Sequence, residues 1–128
     1  MPLVRIEITK GHTTEYKKTI LQSVHEALVR SLSILDDDRI QRLYEIDNDY
    51  FELNDTKSDK YTLIELTLLP GRRAEMKKDA IQEIFRLLGE RLEIAPRDIL
   101  VIINEPPLDN WGIRSKQASE LELQYRKE

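Results

Sequence analysis

At 128 residues and 15.1 kDa the chain is long enough for one hydrophobic core and too short for two, so a single domain spanning 1–128 is expected. A hydrophobic fraction of 40% and a charged fraction of 34% exclude disorder, and a net charge of −4 disfavours a general nucleic-acid binder. With no cysteine and two histidines (His12, His25), disulfides, thiol catalysis and a metal site are not expected; with no signal-like N-terminus and no apolar run near the ~20 residues of a membrane span, a cytoplasmic protein without a membrane partner is.

The first element is a strand over Leu3–Thr9, where Val4, Ile6 and Ile8 alternate onto one face. Gly11 ends it. Tyr16, Ile20, Val24, Leu28 and Leu32 then step down one side of residues 14–33, with Ala27 filling the stripe, which predicts a helix capped by Thr13 or Thr14. A turn leads to a second strand over 38–46, and the polar stretch 47–60 reads as a connection. The pattern then recurs: a strand over 61–69 with Ile64, Leu66 and Leu68 on one face, Gly71, a helix over about 73–92 and a strand over 98–104. Ile99–Ile103 is apolar on both faces, which predicts a strand inside the sheet rather than at its edge. Pro106-Pro107 ends that strand, the tail from Leu108 is expected to form short edge pairings, and Arg126-Lys127-Glu128 to be loose.

Sliding the chain so that Gly11 falls on Gly71 aligns residues 3–45 with 63–105 without a gap. Glu15/Glu75, Lys17/Lys77, Gln22/Gln82, Leu28/Leu88, Asp38/Asp98 and Glu45/Glu105 are among the identities. This is a duplication, with units 2–58 and 59–128. Each unit is β-α-β with parallel strands. The fold class is therefore α/β (α+β): a four-stranded mixed sheet with both helices on one face and an uncovered face that invites oligomerisation.

Few residues are candidates for chemistry. After removal of Met1, which a small second residue favours, Pro2 would present a secondary amine. The reference α-amino pKa of ~7.7–8.0 lies close to neutrality, so apolar surroundings would leave it a neutral base. Met-Pro is equally an ordinary chain start. Asp38, repeated as Asp98, reads either as a turn cap or as a functional acid. Arg72 and Arg73 open a helix, where cations oppose the macrodipole; that mismatch favours function over plain solvation. Trp111 reads first as packing. His12 and His25 are assigned to surface or core, Glu45 and Glu105 to structure, and Arg39, Arg42 and Arg114 to subunit contacts or a pocket rim.

Pro2-Leu3 opening a strand, the twice-present β-α-β unit, Asp37-Asp38-Arg39-x-Gln41, Pro70-Gly71-Arg72 and Asn110-Trp111-Gly112-Ile113-Arg114 together resemble the tautomerase superfamily. Within it they are most similar to the malonate semialdehyde decarboxylase branch. The resemblance covers nearly the whole chain. It implies the fold of macrophage migration inhibitory factor, a homotrimer, no cofactor, Pro2 as the catalytic amine, Asp38 as the family's acid, and the Arg72-Arg73 turn as binder of a substrate carboxylate. Trp111 and Ile113 would form the apolar wall. Two departures stand out. The decarboxylase separates its arginines by one residue, whereas Arg72 and Arg73 are adjacent and point opposite ways in an extended segment, and it has phenylalanine where Ile113 stands. Both point away from malonate semialdehyde as the substrate.

The expected function is cofactor-free proton transfer on a small carboxylate-bearing keto or enol compound. A base near carbon and a cation near the developing enolate oxygen would suffice. The alternatives are a decarboxylase or hydratase with cationic Pro2, a non-catalytic trimeric binding protein, and a ferredoxin-like regulatory domain that has no use for the amine.

Overall fold

Hydrophobic periodicity dictates six main elements, and the computed structural model, which describes residues 2–125 and 127, contains them in the order β-α-β-β-α-β. They are β1 (Leu3–Thr9), α1 (Thr14–Leu32), β2 (Ile40–Ile46), β3 (Thr62–Thr67), α2 (Ala74–Leu92) and β4 (Ile99–Asn104). Thr13 caps α1, its side chain accepting the Tyr16 amide at 3.1 Å. Both helices end alike, on a left-handed residue at φ 55, Ser33 and Glu93. The turns that follow β1 and β3 need φ 112 at Gly11 and φ 108 at Gly71, a region that side-chain-bearing residues rarely enter.

The strand order is β2-β1-β3-β4. β1 and β3 pair antiparallel in the centre, and each unit's second strand runs parallel to its first at an edge. This corrects the expectation for β4, which is an edge strand. Its two-sided apolarity has a different cause: Val101 and Ile103 pack on the core, while Leu100 (41% exposed) and Ile102 (40%) point from the uncovered face. On β2 the same face carries exposed Ile40 and Tyr44, and the guanidinium of Arg5 lies 5.0 Å from the Tyr44 ring.

The core fills the space between sheet and helices. Val4, Ile6, Ile8, Ile64, Leu66 and Leu68 meet Ile20, Val24, Leu28, Ile84 and Leu88, all buried. Each such side chain contributes roughly 1.5–3 kcal/mol by leaving water. His25 is buried, its Nε2 2.8 Å from the carbonyl oxygen of Asp36. Arg91 of α2 grips Glu26 of α1 through two bonds of 2.7 and 3.0 Å, which hold the Glu26 carboxyl down at about 2.

The pseudo-symmetry extends to side chains, since Lys17–Glu45 and Lys77–Glu105 are both ion pairs of 2.8 Å. After β4 the chain adds a small hairpin, β5 (Gly112–Ile113) and β6 (Lys116–Gln117), turned by Arg114 and Ser115, both at positive φ. Its two strands form a separate sheet rather than extending the main one. The last residues are not uniformly loose: the Arg73 amide donates to the Lys127 carbonyl at 2.8 Å, while Arg126 and Glu128 lie outside the described residues. Among the described residues no helix is long and apolar enough to cross a membrane.

Candidate active site

The topology gathers the candidate residues. With β2 parallel to β1, and β3 antiparallel to it, the starts of β1 and β2 and the ends of β3 and β4 share one end of the sheet. Pro2, Asp38, the Pro70-Gly71-Arg72 turn and Glu105 all lie there. Pro2 is buried, directly before β1. Met1, whose removal the amine requires, is outside the described residues.

Arg72 and Arg73 separate as adjacent extended residues must. Arg73 becomes the N-cap of α2 and turns outward, its side chain 55% exposed and 3.8 Å from Glu75. Arg72 turns inward and is only 4% exposed. Among the described residues none of its three guanidinium nitrogens has a hydrogen-bond partner. Desolvation pulls its pKa down, while Tyr125, Glu105 and Asp38 push it back up, and an arginine stays charged throughout such shifts. Leaving buried donors unpaired costs about 1–3 kcal/mol each, more for a charged group. A buried fork of free donors is therefore an expensive feature whose natural complement is an anion, above all a planar carboxylate.

Arg72 opens on a cleft of about 120 Å³. The end of α1 and the residues after it supply one wall, with Leu32 and Leu35; Asp38 and Arg72 supply the polar side, and Gln124 and Tyr125 of the tail close it. Such a volume suits a carboxylate on a short carbon chain rather than the ligands of about 300–1,000 Å³ that larger pockets hold. Tyr125, which sequence reasoning missed, stands with its ring 5.1 Å from the Arg72 guanidinium carbon. Glu105 pairs with Lys77 through one oxygen, and its other oxygen is buried without a partner among the described residues.

Of the expected site residues, Asp38 and Arg72 line this cleft; Pro2, Arg73, Trp111 and Ile113 are not among its described lining residues. Trp111 is 9% exposed, donates from Nε1 to the Pro106 carbonyl at 2.9 Å, and forms a satellite core with Leu69 and Ala118. Leu3, Ile113 and Tyr125 pack against that core, so these residues support both the start of β1 and the ring over Arg72. Trp111 also borders an open depression with Lys116 and Glu120.

The repeat supplies an internal control. At the opposite end of the sheet Thr62 takes the place of Pro2, His12 that of Arg72 and Asp98 that of Asp38. Asp98 is buried and spoken for: it accepts the Ser58 amide at 2.8 Å and the Ser58 hydroxyl at 2.6 Å. Burial alone would raise its pKa, but these two bonds and nearby Arg97 and Lys57 bring it below its usual range. His12 lies 2.7 Å, through Nε2, from the Asp59 carbonyl and stacks on Tyr16. Polar groups at that end are thus engaged in structure. Asp38 differs from its counterpart in being half-buried at a cleft beside a buried cation. Among the described residues no cluster of His, Asp or Glu is arranged to hold a metal ion.

A family model described as tautomerase enzyme matches residues 38–114, and a second of the same description matches residues 2–56. The probable tautomerase YrdN of Bacillus subtilis (strain 168) is 30% identical over 128 residues, covering 94% of this chain and 97% of that one. Among solved structures, a malonate semialdehyde decarboxylase inhibited by 3-bromopropiolate superposes with a TM-score of 0.79 at 27% identity, covering 95% of this chain and 99% of that one. A fused 4-OT, described as a wild-type asymmetric trimer, superposes with a TM-score of 0.82 at 21% identity, covering 92% and 97%.

Proposed function

Because the chain belongs to the tautomerase family of enzymes, we propose that it catalyses keto–enol proton transfer on a small 2-keto acid, with the Pro2 amine as base and Arg72 as carboxylate receptor. The observation that carries this reading is the buried guanidinium of Arg72, without a hydrogen-bond partner among the described residues, at the end of the sheet where Pro2 enters.

The substrate carboxylate lies in the Arg72 fork, two oxygens on two N–H groups. The neutral Pro2 nitrogen takes a proton from the carbon next to the carbonyl. The C–H electron pair becomes the C=C bond, and the carbonyl π electrons move onto oxygen. The guanidinium stabilises that charge in a setting where water competes poorly. Returning the proton to oxygen gives the enol, and the reverse sequence gives the keto acid. Asp38, at the cleft mouth, orients the substrate. Arg73 has no part in this chemistry.

Assembly belongs to the same reading. The uncovered sheet face presents Ile40, Tyr44, Leu100 and Ile102, and the fused 4-OT relative is a trimer. The chain is accordingly a homotrimer built through this face.

Likeness to the malonate semialdehyde decarboxylase supports a second reading, in which a cationic Pro2 stabilises the anion left as CO₂ departs from a 3-oxo acid. One experiment separates the two. Protein whose Met1 removal is confirmed by mass is mixed with short 2-keto acids in D₂O, and deuterium entry at the carbon beside the carbonyl is followed by NMR. Rapid exchange without CO₂ release is the expected outcome. Release of CO₂ from 3-oxo acids, with no exchange into 2-keto acids, contradicts it.

A further inference from the structure

The two glycine turns are equivalent by sequence, yet among the described residues only one is clamped. Among the described residues a Cβ at Gly11 would meet nothing within 4 Å, whereas at Gly71 it would lie 3.4 Å from Lys127 Cδ. The C-terminal segment crosses this second turn and ties it at three points. The Tyr125 hydroxyl donates to the Pro70 carbonyl at 2.6 Å, the Arg73 amide donates to the Lys127 carbonyl at 2.8 Å, and the Tyr125 ring faces the Arg72 guanidinium at 5.1 Å. Lys127 Nζ sits 5.2 Å from the same ring. These ties hold the residues before, at and after the bend. The clamp is thus confined to the turn that carries the buried arginine.

We propose that Tyr125 is a positioning and specificity residue: its ring fixes the Arg72 guanidinium without using any of its N–H donors, and together with Gln124 it closes the cleft against longer carboxylates. This assignment rests on the reading of Arg72 as carboxylate receptor. The physical case is that a ring face attracts the cation through its quadrupole while leaving the in-plane donors free. An acidic or hydroxyl partner would instead have occupied them. Tyrosine also adds a hydroxyl, which here holds the ring in place through Pro70. An aromatic side chain with two torsions loses little entropy in doing so.

The test uses the full chain, freed of Met1, as Tyr125→Leu and Tyr125→Phe. The first readout is the Arg72 Nε–H signal in ¹⁵N NMR, assigned by its loss in Arg72→Lys. In the parent it is dispersed and exchanges slowly; in Tyr125→Leu it moves into the envelope of exposed arginines. The second readout is steady-state kinetics across 2-keto acids of increasing length. Tyr125→Leu raises KM for the shortest substrates about tenfold with kcat within about twofold, and moves the preference toward longer ones about fivefold; Tyr125→Phe raises KM no more than about threefold. An unmoved Arg72 signal in Tyr125→Leu overturns the proposal whatever the kinetics show. So does an equal fall in kcat and kcat/KM without any change in length preference, which a merely structural residue would give. Should Leu at 125 loosen the fold, Tyr125→Phe decides: a tenfold or larger rise in KM contradicts a role for the ring. If the Arg72 signal collapses as expected but the parent protein turns over no keto acid, the clamp stands and the catalytic reading fails.

Discussion

Pro2→Ala, in protein freed of Met1, is expected to lose about 10²–10⁴-fold in kcat/KM for keto–enol exchange, the usual contribution of a positioned base. Alanine keeps an amine, but a primary one on a chain end free to rotate. Proline fixes the nitrogen in a ring joined to β1, whose next residue, Leu3, is paired to both Ile40 and Thr67 and packed against the satellite core of Trp111. Little of the structure depends on the ring itself, so melting temperature and far-UV spectrum should stay near those of the parent. The measurement is initial rate at saturating and limiting substrate on mass-verified protein. Unchanged rates would remove Pro2 from the mechanism.

Arg72→Met is expected to separate function from stability. Methionine is close to arginine in length and replaces a buried cation whose guanidinium nitrogens have no hydrogen-bond partner among the described residues. Carboxylate binding should collapse, with kcat/KM down about 10²–10³-fold, as when one partner of a buried charge pair is truncated. Stability should hold or rise, since exchanging a poorly compensated buried charge for a well-packed apolar side chain is neutral or favourable by about 1–4 kcal/mol. The melting temperature would then rise by a few degrees. Arg73→Gln is the control: its side chain is exposed and its charge opposes the α2 macrodipole, so activity should change less than about twofold. A fall in melting temperature for Arg72→Met, with activity retained, would make Arg72 a structural residue.

Much of the architecture was legible in the sequence because it is written in short-range periodicity. Val4, Ile6 and Ile8 alternate, and Ile20, Val24 and Leu28 step by four; each pattern states which face meets the core, and the match of Gly11 to Gly71 states that it happens twice. The misplaced strand shows where that information stops. An apolar residue at 100 or 102 reads the same whether its face lies under a helix or at an open sheet edge, because strand order is decided by which strands pair in the centre. The site divided likewise. Divergence of Arg72 from Arg73 follows from adjacency, but which one turns inward is not written in any local pattern. The resemblance implies a pocket wall for Trp111; the structure packs it with Leu69 and Ala118 in a satellite core that Leu3 and Tyr125 adjoin. Tyr125 was missed because its contacts with Pro70 and Arg72 are far away in the chain. Its one local signal was an aromatic residue alone in a polar tail, Gln124-Tyr125-Arg126-Lys127-Glu128.

The central claim is that the Pro2 nitrogen is a neutral amine that moves a proton, and its titration tests that most directly. Protein labelled with ¹⁵N-proline and freed of Met1 is followed by NMR across the pH range, reading the Pro2 nitrogen shift. The account predicts one titration with a midpoint below the ~7.7–8.0 of a free α-amine: burial of Pro2 and a cation at the same end of the sheet, Arg72, disfavour the charged form, and they must outweigh Asp38, which favours it. A midpoint above that range would contradict it, making the nitrogen a cation at neutral pH and turning the search to 3-oxo acids.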